Sequence, residues 1–344
     1  MKISQLGELE FITRIRHQCS VSAASVLGIG DDCAIFPCQT EHEDGLITTD
    51  LLIESVHFST GTGMWELGHK ALEVNISDIA AMGGTPLYAT ISVAVHADIP
   101  VIDMQAFYRG LIDTAHRHEI TIVGGDTSQS PGPLFISITI LGRVEKGRAL
   151  LRSGAQAGDL IGLTGTLGDS FVGHKWLLSG LKDQDLTSDS SPEFLEAIKF
   201  CTERHCYPRA RVKAGRALQS SGKCHACIDL SDGLATDLRH IVCESNVGAE
   251  IDLDLIPIDI RTERLARVLA LDPMLAATTG GEDYELLFMI PPEAKKEMMK
   301  LLSGLGETIT FIGRITSDKE NIAFHKSGQP FDFNLSGYEH FSRP

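Results

Sequence analysis

Apolar positions recur along the chain in two rhythms. Short apolar or β-branched runs at 45–49, 88–95, 120–123, 134–144, 160–164, 228–230 and 284–290 predict strands. Longer stretches at 65–82, 103–118, 192–207, 208–221 and 234–244 carry the three-to-four-residue spacing of helices. This interleaving predicts a mixed α/β (α+β) fold. A polar, glycine-containing passage at 145–159 follows the last strong strand of the first half and predicts two domains, 1–147 and 148–344. Residues 182–191, rich in Asp and Ser, read as a surface loop, and neither a fixed-period repeat nor a low-complexity tract is seen.

The 344 residues suit two domains at ~150 residues each, and 43% hydrophobic with 22% charged residues is ordinary globular usage. Thirty basic against 46 acidic residues leave a net charge of −16. With no Lys/Arg-rich run, that balance argues against nucleic-acid and anionic-membrane partners, both of which need a basic footprint. Charged residues interrupt 1–18, so no signal-peptide core is expected there, and the most apolar stretch, 86–97, is too short to span a bilayer. The expectation is a soluble, cytoplasmic protein. Eight cysteines are too sparse for a disulfide scaffold. Cys224 and Cys227 have metal or redox spacing, with Cys201, His205 and Cys206 as further candidate ligands, but buried or incidental thiols are the preferred reading.

The surplus acid is not in runs. It recurs beside Gly, Ser or Thr where apolar segments end: Gly28-Ile-Gly-Asp31-Asp32, Thr48-Thr49-Asp50, Asn75-Ile-Ser77-Asp78, Gly124-Gly125-Asp126-Thr127, Asp229-Leu-Ser231-Asp232-Gly233 and Gly280-Gly281-Glu282-Asp283. Turn and cap chemistry explains any one of these; six together ask for more. On a helix over 65–82, Glu66, Lys70, Glu73 and Ser77 form the expected polar face, while Asp78 aligns with Leu67, Ala71 and Val74. No Lys or Arg on that helix reaches Asp78, so a cation from elsewhere is the natural partner for it. Ser231 or Asp232 is expected to cap the helix at 234–244, which leaves Asp229 at a strand end as an oxygen ligand suited to Mg²⁺ or Ca²⁺.

Conventional phosphate machinery is missing: no P-loop occurs, and Gly28-x-Gly30 lacks the third glycine of a dinucleotide fingerprint. Neither a nucleophile elbow nor a zinc-protease helix is present. The remaining route to phosphate is through metal, since carboxylates holding Mg²⁺ ions become an anion site.

These motifs, with His57, Arg152-Ser-Gly-Ala and Thr164-Gly-Thr-Leu-Gly-Asp169-Ser, resemble in their order the thiamine-monophosphate kinase family from about Gly28 to Phe341. That family shares a superfamily of ATP-binding enzymes with aminoimidazole ribonucleotide synthetase and selenophosphate synthetase. The resemblance implies an amino-terminal α/β domain whose sheet pairs with its copy in a homodimer, then a second α/β domain. It implies transfer of phosphate from ATP to thiamine monophosphate, the final step to thiamine diphosphate. Carried over by motif, Asp32, Thr48, Thr49, Asp50, Asp78, Asp126, Asp229 and Asp232 would be magnesium ligands. Gly125, Asp126, Arg152 and Ser231 would contact ATP, and His57 and Glu282 the thiamine phosphate, with Asp50, Asp78, Asp126 and Arg152 at the transfer itself. Where the family places an aromatic against the thiamine ring this chain has Leu335, near Phe333 and Tyr338, and before Gly124-Gly125-Asp126 it has His118 where a tyrosine is common.

A phosphate-monoester acceptor is largely dianionic at neutral pH, so little general-base help is needed. Catalysis then rests on in-line positioning and charge neutralisation. Two alternatives stand beside this reading: another ATP-dependent enzyme of the same superfamily, and a non-enzymatic acidic protein that binds divalent cations. Arg152 argues against the second, because a pure cation binder has no use for an anion-binding arginine.

Overall fold

The computed structural model describes residues 8–19, 26–38, 41–181 and 191–331. Leu335, Phe333 and Tyr338 lie outside the described residues, as does almost all of the loop expected at 182–191.

The first sheet holds β1 (Ala34–Pro37), β2 (Glu43–Ile53), β3 (Thr85–His96), β4 (Thr121–Ser130) and β5 (Phe135–Glu145) in the order β1-β2-β5-β3-β4. Its pairs are antiparallel except β3 with β4. Along β5 buried and part-buried residues alternate, and Ile136, Ile138 and Ile140 are fully buried. They meet Leu67, Leu72, Ile76 and Ile79 of α2 (Met64–Ala81) and Phe107 and Leu111 of α3 (Val101–Arg117) in one core. The other face of the sheet is open: Ile47, Leu51, Tyr88 and Val123 are exposed. A short helix, α1 (Glu8–Gln18), precedes this sheet.

The second sheet holds β6 (Leu160–Thr164), β7 (Ala226–Asp229), β8 (Gly248–Asp252), β9 (Leu286–Ile290), β10 (Ile309–Thr316), β11 (Ile322–Lys326) and β12 (Gln329–Pro330). Their order is β12-β11-β8-β10-β6-β9-β7. All five residues of β9 are buried, and its two faces serve different cores. Leu287 and Met289 join Leu234, Leu238 and Ile241 of α7 (Leu234–Ser245), whereas Leu286, Phe288 and Ile290 join α6 (Val212–Ser221) and α10 (Lys295–Ser303). A strand covered on both faces reads as a continuous apolar run, as this one does. Beside it, α4 (Asp169–Ser179), α5 (Pro192–Cys206), α8 (Ile260–Val268) and α9 (Pro273–Thr279) share a helical cluster around Trp176, Phe194 and Leu265.

Three expectations are corrected. Residues 208–211 are not helical: the Pro208 carbonyl accepts from His69, and the Ala210 N–H donates to Glu73, so tertiary bonds hold the segment open until α6 starts. The cap of α7 is Gly233, not Ser231 or Asp232, and the Asp237 carboxylate accepts from the Asp232 and Gly233 N–H groups instead. The expected polar face of α2 is not solvated either. Lys70, Glu73 and Ser77 are all buried, because α2 lies between the first sheet and α6, where Gly215 lets its backbone approach Ala80.

Candidate active site

Sheet alternation sorts the acidic motifs. Leu46, Thr48, Asp50 and Leu52 turn towards α2, while Thr49 is on the opposite, open face, hydrogen-bonded to Thr139 and the Ile138 carbonyl. Asp78 projects from α2 to meet Thr48, whose hydroxyl donates to it at 2.5 Å. Asn75, one turn earlier, accepts from the Asp50 N–H at 2.9 Å. Ser77 donates to Asp229 at the end of β7 at 2.6 Å, so α2 carries groups of the second sheet to those of the first.

Oxygens of Asp32, Asp78 and Asp229 lie within 4.8 Å of one another. Arg152 approaches from the start of the second half, 2.5 Å from Asp32, and its N–H donates to Asp31. Burial opposes the charge of Arg152, but Asp32 outweighs that and holds the guanidinium protonated. One cation does not balance the cluster. Burial, then Asp32, pushes Asp229 up to about 7, and burial, then Asp232, pushes Asp50 up to about 6. Asp78 goes well above the usual carboxylate range through burial and its neighbours Asp50 and Asp229. The Asp32 Oδ2 is buried without a hydrogen-bond partner. A buried, orphaned carboxylate oxygen among mutually repelling carboxylates fits a hard divalent cation, whose ligands are oxygens of this kind.

A cavity of about 550 Å³ opens beside the cluster, lined by Asp50, Asp78, Asp229, Ser231 and Asp232 on its acidic side. His57, Val56, Phe171, His174, Lys175, Glu282 and Tyr284 line the rest. His57 accepts from the Ile53 N–H at 3.0 Å in the turn after β2, beside Ser55 at φ 67°. Glu282 and Tyr284 are held at φ 67° and 52°, a conformation uncommon for such residues and found at sites where the surroundings impose it.

Glu282 is not a free carboxylate. Lys70 is 3.0 Å away and His205 3.2 Å, and although burial works to raise its pKa these two hold it well below the usual range. Lys70, Ser77, His174, His205 and Asp237 are groups of this site to which sequence assigned no role in it: Ser77 stood in the Asn75–Asp78 motif only as part of the polar face, and His205 was named only beside the cysteines. The mis-set polar face of α2 hid two of them, although charged residues in an otherwise apolar helix were the available signal. Behind the loop, Asp283 accepts from the Gly168 and Ser170 N–H groups, and Glu285 is fully buried between Arg204 and Arg211, which anchors the 281–285 segment.

Other candidates lie apart. Asp126 sits inside edge strand β4, exposed, rather than at a segment end. The register Asp50↔Ile138↔Ile91↔Gly125 places three inter-strand steps, roughly 14 Å, between its row and Asp50. Gly125 is required there, since a Cβ would strike the Ile91 carbonyl oxygen. Asp50 is likewise mid-strand, because pairing with β5 extends β2 to Ile53. His118 ends α3 and bonds Glu73 at 2.9 Å. Cys201 is buried beside the Thr262 hydroxyl, with burial pushing its thiol up to about 12, and Cys227 is fully buried.

Two family models cover most of the chain: the N-terminal domain of AIR synthase related proteins over residues 30–144, and the C-terminal domain of the same proteins over 156–326. Thiamine-monophosphate kinase of Escherichia coli strain K12 is 38% identical, with 98% of this chain and 99% of that one covered. The Bacillus subtilis protein of the same name is 33% identical over 98% and 100%.

The chain belongs to the thiamine-monophosphate kinase family.

A solved structure of a family member, AaThiL complexed with AMPPCP and TMP, superposes with a TM-score of 0.83 at 30% identity and covers 99% of both chains. The thiamine-monophosphate kinase from Stenotrophomonas maltophilia gives 0.74 at 34% identity, over 94% of this chain and 96% of that one. The family's fold, two α/β units each with its own sheet, is the fold described above.

Proposed function

We propose that this chain transfers the γ-phosphoryl group of ATP to thiamine monophosphate, giving ADP and thiamine diphosphate, with Mg²⁺ held by the acidic cluster. The observation that carries this reading is the set Asp32, Asp78 and Asp229, three convergent carboxylates with one guanidinium, on Asp32, to offset them, of which Asp78 and Asp229 line a cavity of ligand size. Kinship with proteins named for the reaction, and with one whose structure contains AMPPCP and TMP, supports it.

Asp50 and Asp232 extend the metal-binding group, and Thr48 orients Asp78 towards it. Bound there, Mg²⁺ supplies the charge neutralisation and alignment that in-line transfer between two anions requires. Arg152 offsets phosphate charge beside Asp32, and Ser231 contacts ATP at the cavity rim. His57 and Glu282 face the acceptor, with Glu282 kept ionised by Lys70. Leu335, the acceptor contact carried over by motif, lies outside the described residues.

Asp126, Gly125 and Thr49 enter the site in our reading through a homodimer. The open sheet face with exposed Ile47, Leu51, Tyr88 and Val123 is the surface that pairs, bringing β4 of one subunit to the cluster of its partner. The two units divide at 147/148, and the reaction belongs to the cytoplasm.

Purified protein with thiamine monophosphate, ATP and Mg²⁺ is expected to yield thiamine diphosphate, read as its fluorescent thiochrome derivative after separation. Inertness under those conditions, with turnover of another phosphate acceptor, overturns the substrate assignment.

A further inference from the structure

The aromatic side of the cavity contains an arrangement that the transfer chemistry does not use. His174 of α4 stacks on His205 of α5, with ring centroids 4.7 Å apart and planes within 7°. The His205 Nδ1 is 3.1 Å from the Ser170 hydroxyl and 3.2 Å from Glu282, which Lys70 holds in turn at 3.0 Å. Groups from α2, α4, α5 and the 281–285 segment thus fix the lower ring, and the upper ring is left half-buried in the cavity wall. Phe171 lines the same wall, but the Lys175 ammonium sits 4.9 Å over its ring.

We propose that His174 is a specificity-determining contact of the acceptor site, its imidazole face stacking on a planar heteroaromatic ring of the acceptor. The proposal rests on the reading of the acceptor as thiamine monophosphate, one of whose rings is a cation. A neutral aromatic face attracts such a ring through its π-system, whereas an imidazolium would repel it. Burial and the adjacent His205 push His174 down to about 4, so the ring is neutral at physiological pH. The acidic side of the cavity takes the phosphate through metal, and the stacked wall takes the organic part.

The test compares His174→Leu, which fills the space without a π-face, with His174→Phe, which restores the face without the imidazole nitrogens. His174→Leu is expected to raise KM for thiamine monophosphate about tenfold. Its kcat and its KM for ATP should stay within about twofold of the parent, and His174→Phe should return the acceptor KM to near the parent value. Equal acceptor KM values for the two variants overturn the proposal, as does a parallel rise in both KM values. Failure of both variants to fold overturns it too, by making the ring a structural element. If the parent protein does not act on thiamine monophosphate at all, it is the functional reading that fails.

Discussion

The Asp78 carboxylate accepts from the Thr48 hydroxyl at 2.5 Å and lies among the oxygens of Asp32 and Asp229. Its place off the expected polar face of α2, with no basic residue one turn away, already marked it as a carboxylate needing a cation, and the structure sets it against Thr48, Asp32 and Asp229. Asp78→Asn and Asp50→Asn are each expected to lower turnover about 100-fold or more, the loss typical when a site's charge partner is removed. Because each substitution also removes a repelling charge, the metal-free variants should melt at or above the parent temperature while losing most of the stabilisation that Mg²⁺ gives the parent. A variant with near-normal turnover at limiting Mg²⁺, or an unchanged Mg²⁺ shift in a thermal melt, contradicts the metal assignment. What sequence could not show is how these side chains are held. Ser77 and Asp229 are 152 positions apart and Lys70 and Glu282 are 212 apart, and bonds over such separations leave no local periodicity.

Among the elements, α2 shows where pattern reading stops. Its helical spacing was legible over 65–82, close to the observed Met64–Ala81, but a helix covered on every side has no solvated face, so its charged residues looked like a surface. Close approach to α3 is built into two glycines. A Cβ at Gly68 would meet the Phe107 carbonyl oxygen, and one at Gly110 the Trp65 carbonyl oxygen, so the two backbones touch. Gly68→Ala is therefore expected to destabilise the protein by about 1–3 kcal/mol, a lower melting temperature measurable by calorimetry, even though alanine favours helix. A melting temperature at or above the parent value would show that the helices separate without cost. Pattern missed β1, β8, β10, β11 and β12; of these β8 breaks its apolar run with Gly248, Glu250 and Asp252, and β10 with Thr310, Gly313 and Arg314, and β8 forms through pairing with β10 and β11 rather than through its own composition. Pairing also carries β2 and β4 past the glycines and acids that looked like their ends.

For the molecule as a whole, the acid that gives the chain its net charge of −16 is also a source of instability, one that metal relieves on the reading proposed above. In the folded chain Asp50 holds its proton to about 6, and Asp229 and Asp31 hold theirs to about 7, in each case through burial first and a neighbouring aspartate second. An unfolded aspartate releases its proton near ~3.9. Between those values the folded state keeps protons that the unfolded state has lost, so these three groups lower stability as pH rises from about 4 to about 7, against the opposite contribution of His174 and His240, which burial pushes down to about 4. On the proposed metal assignment Mg²⁺ works in the opposite sense, because it would bind the ionised cluster of the folded chain, and a ligand at a hundred times its Kd adds about 2.7 kcal/mol. Without metal, the melting temperature at pH 8 is therefore expected to lie below that at pH 5.5. Millimolar Mg²⁺ should raise it more at pH 8 than at pH 5.5, by several degrees at ~2–4 °C per kcal/mol for a chain of this size or somewhat smaller. Melts at both pH values, with chelator and with Mg²⁺, decide the matter. A metal-free protein that becomes more stable towards pH 8, or an Mg²⁺ shift larger at pH 5.5, would mean that the clustered carboxylates are compensated by protein groups alone, and the acidic site would lose its claim to be a metal-dependent phosphate receptor.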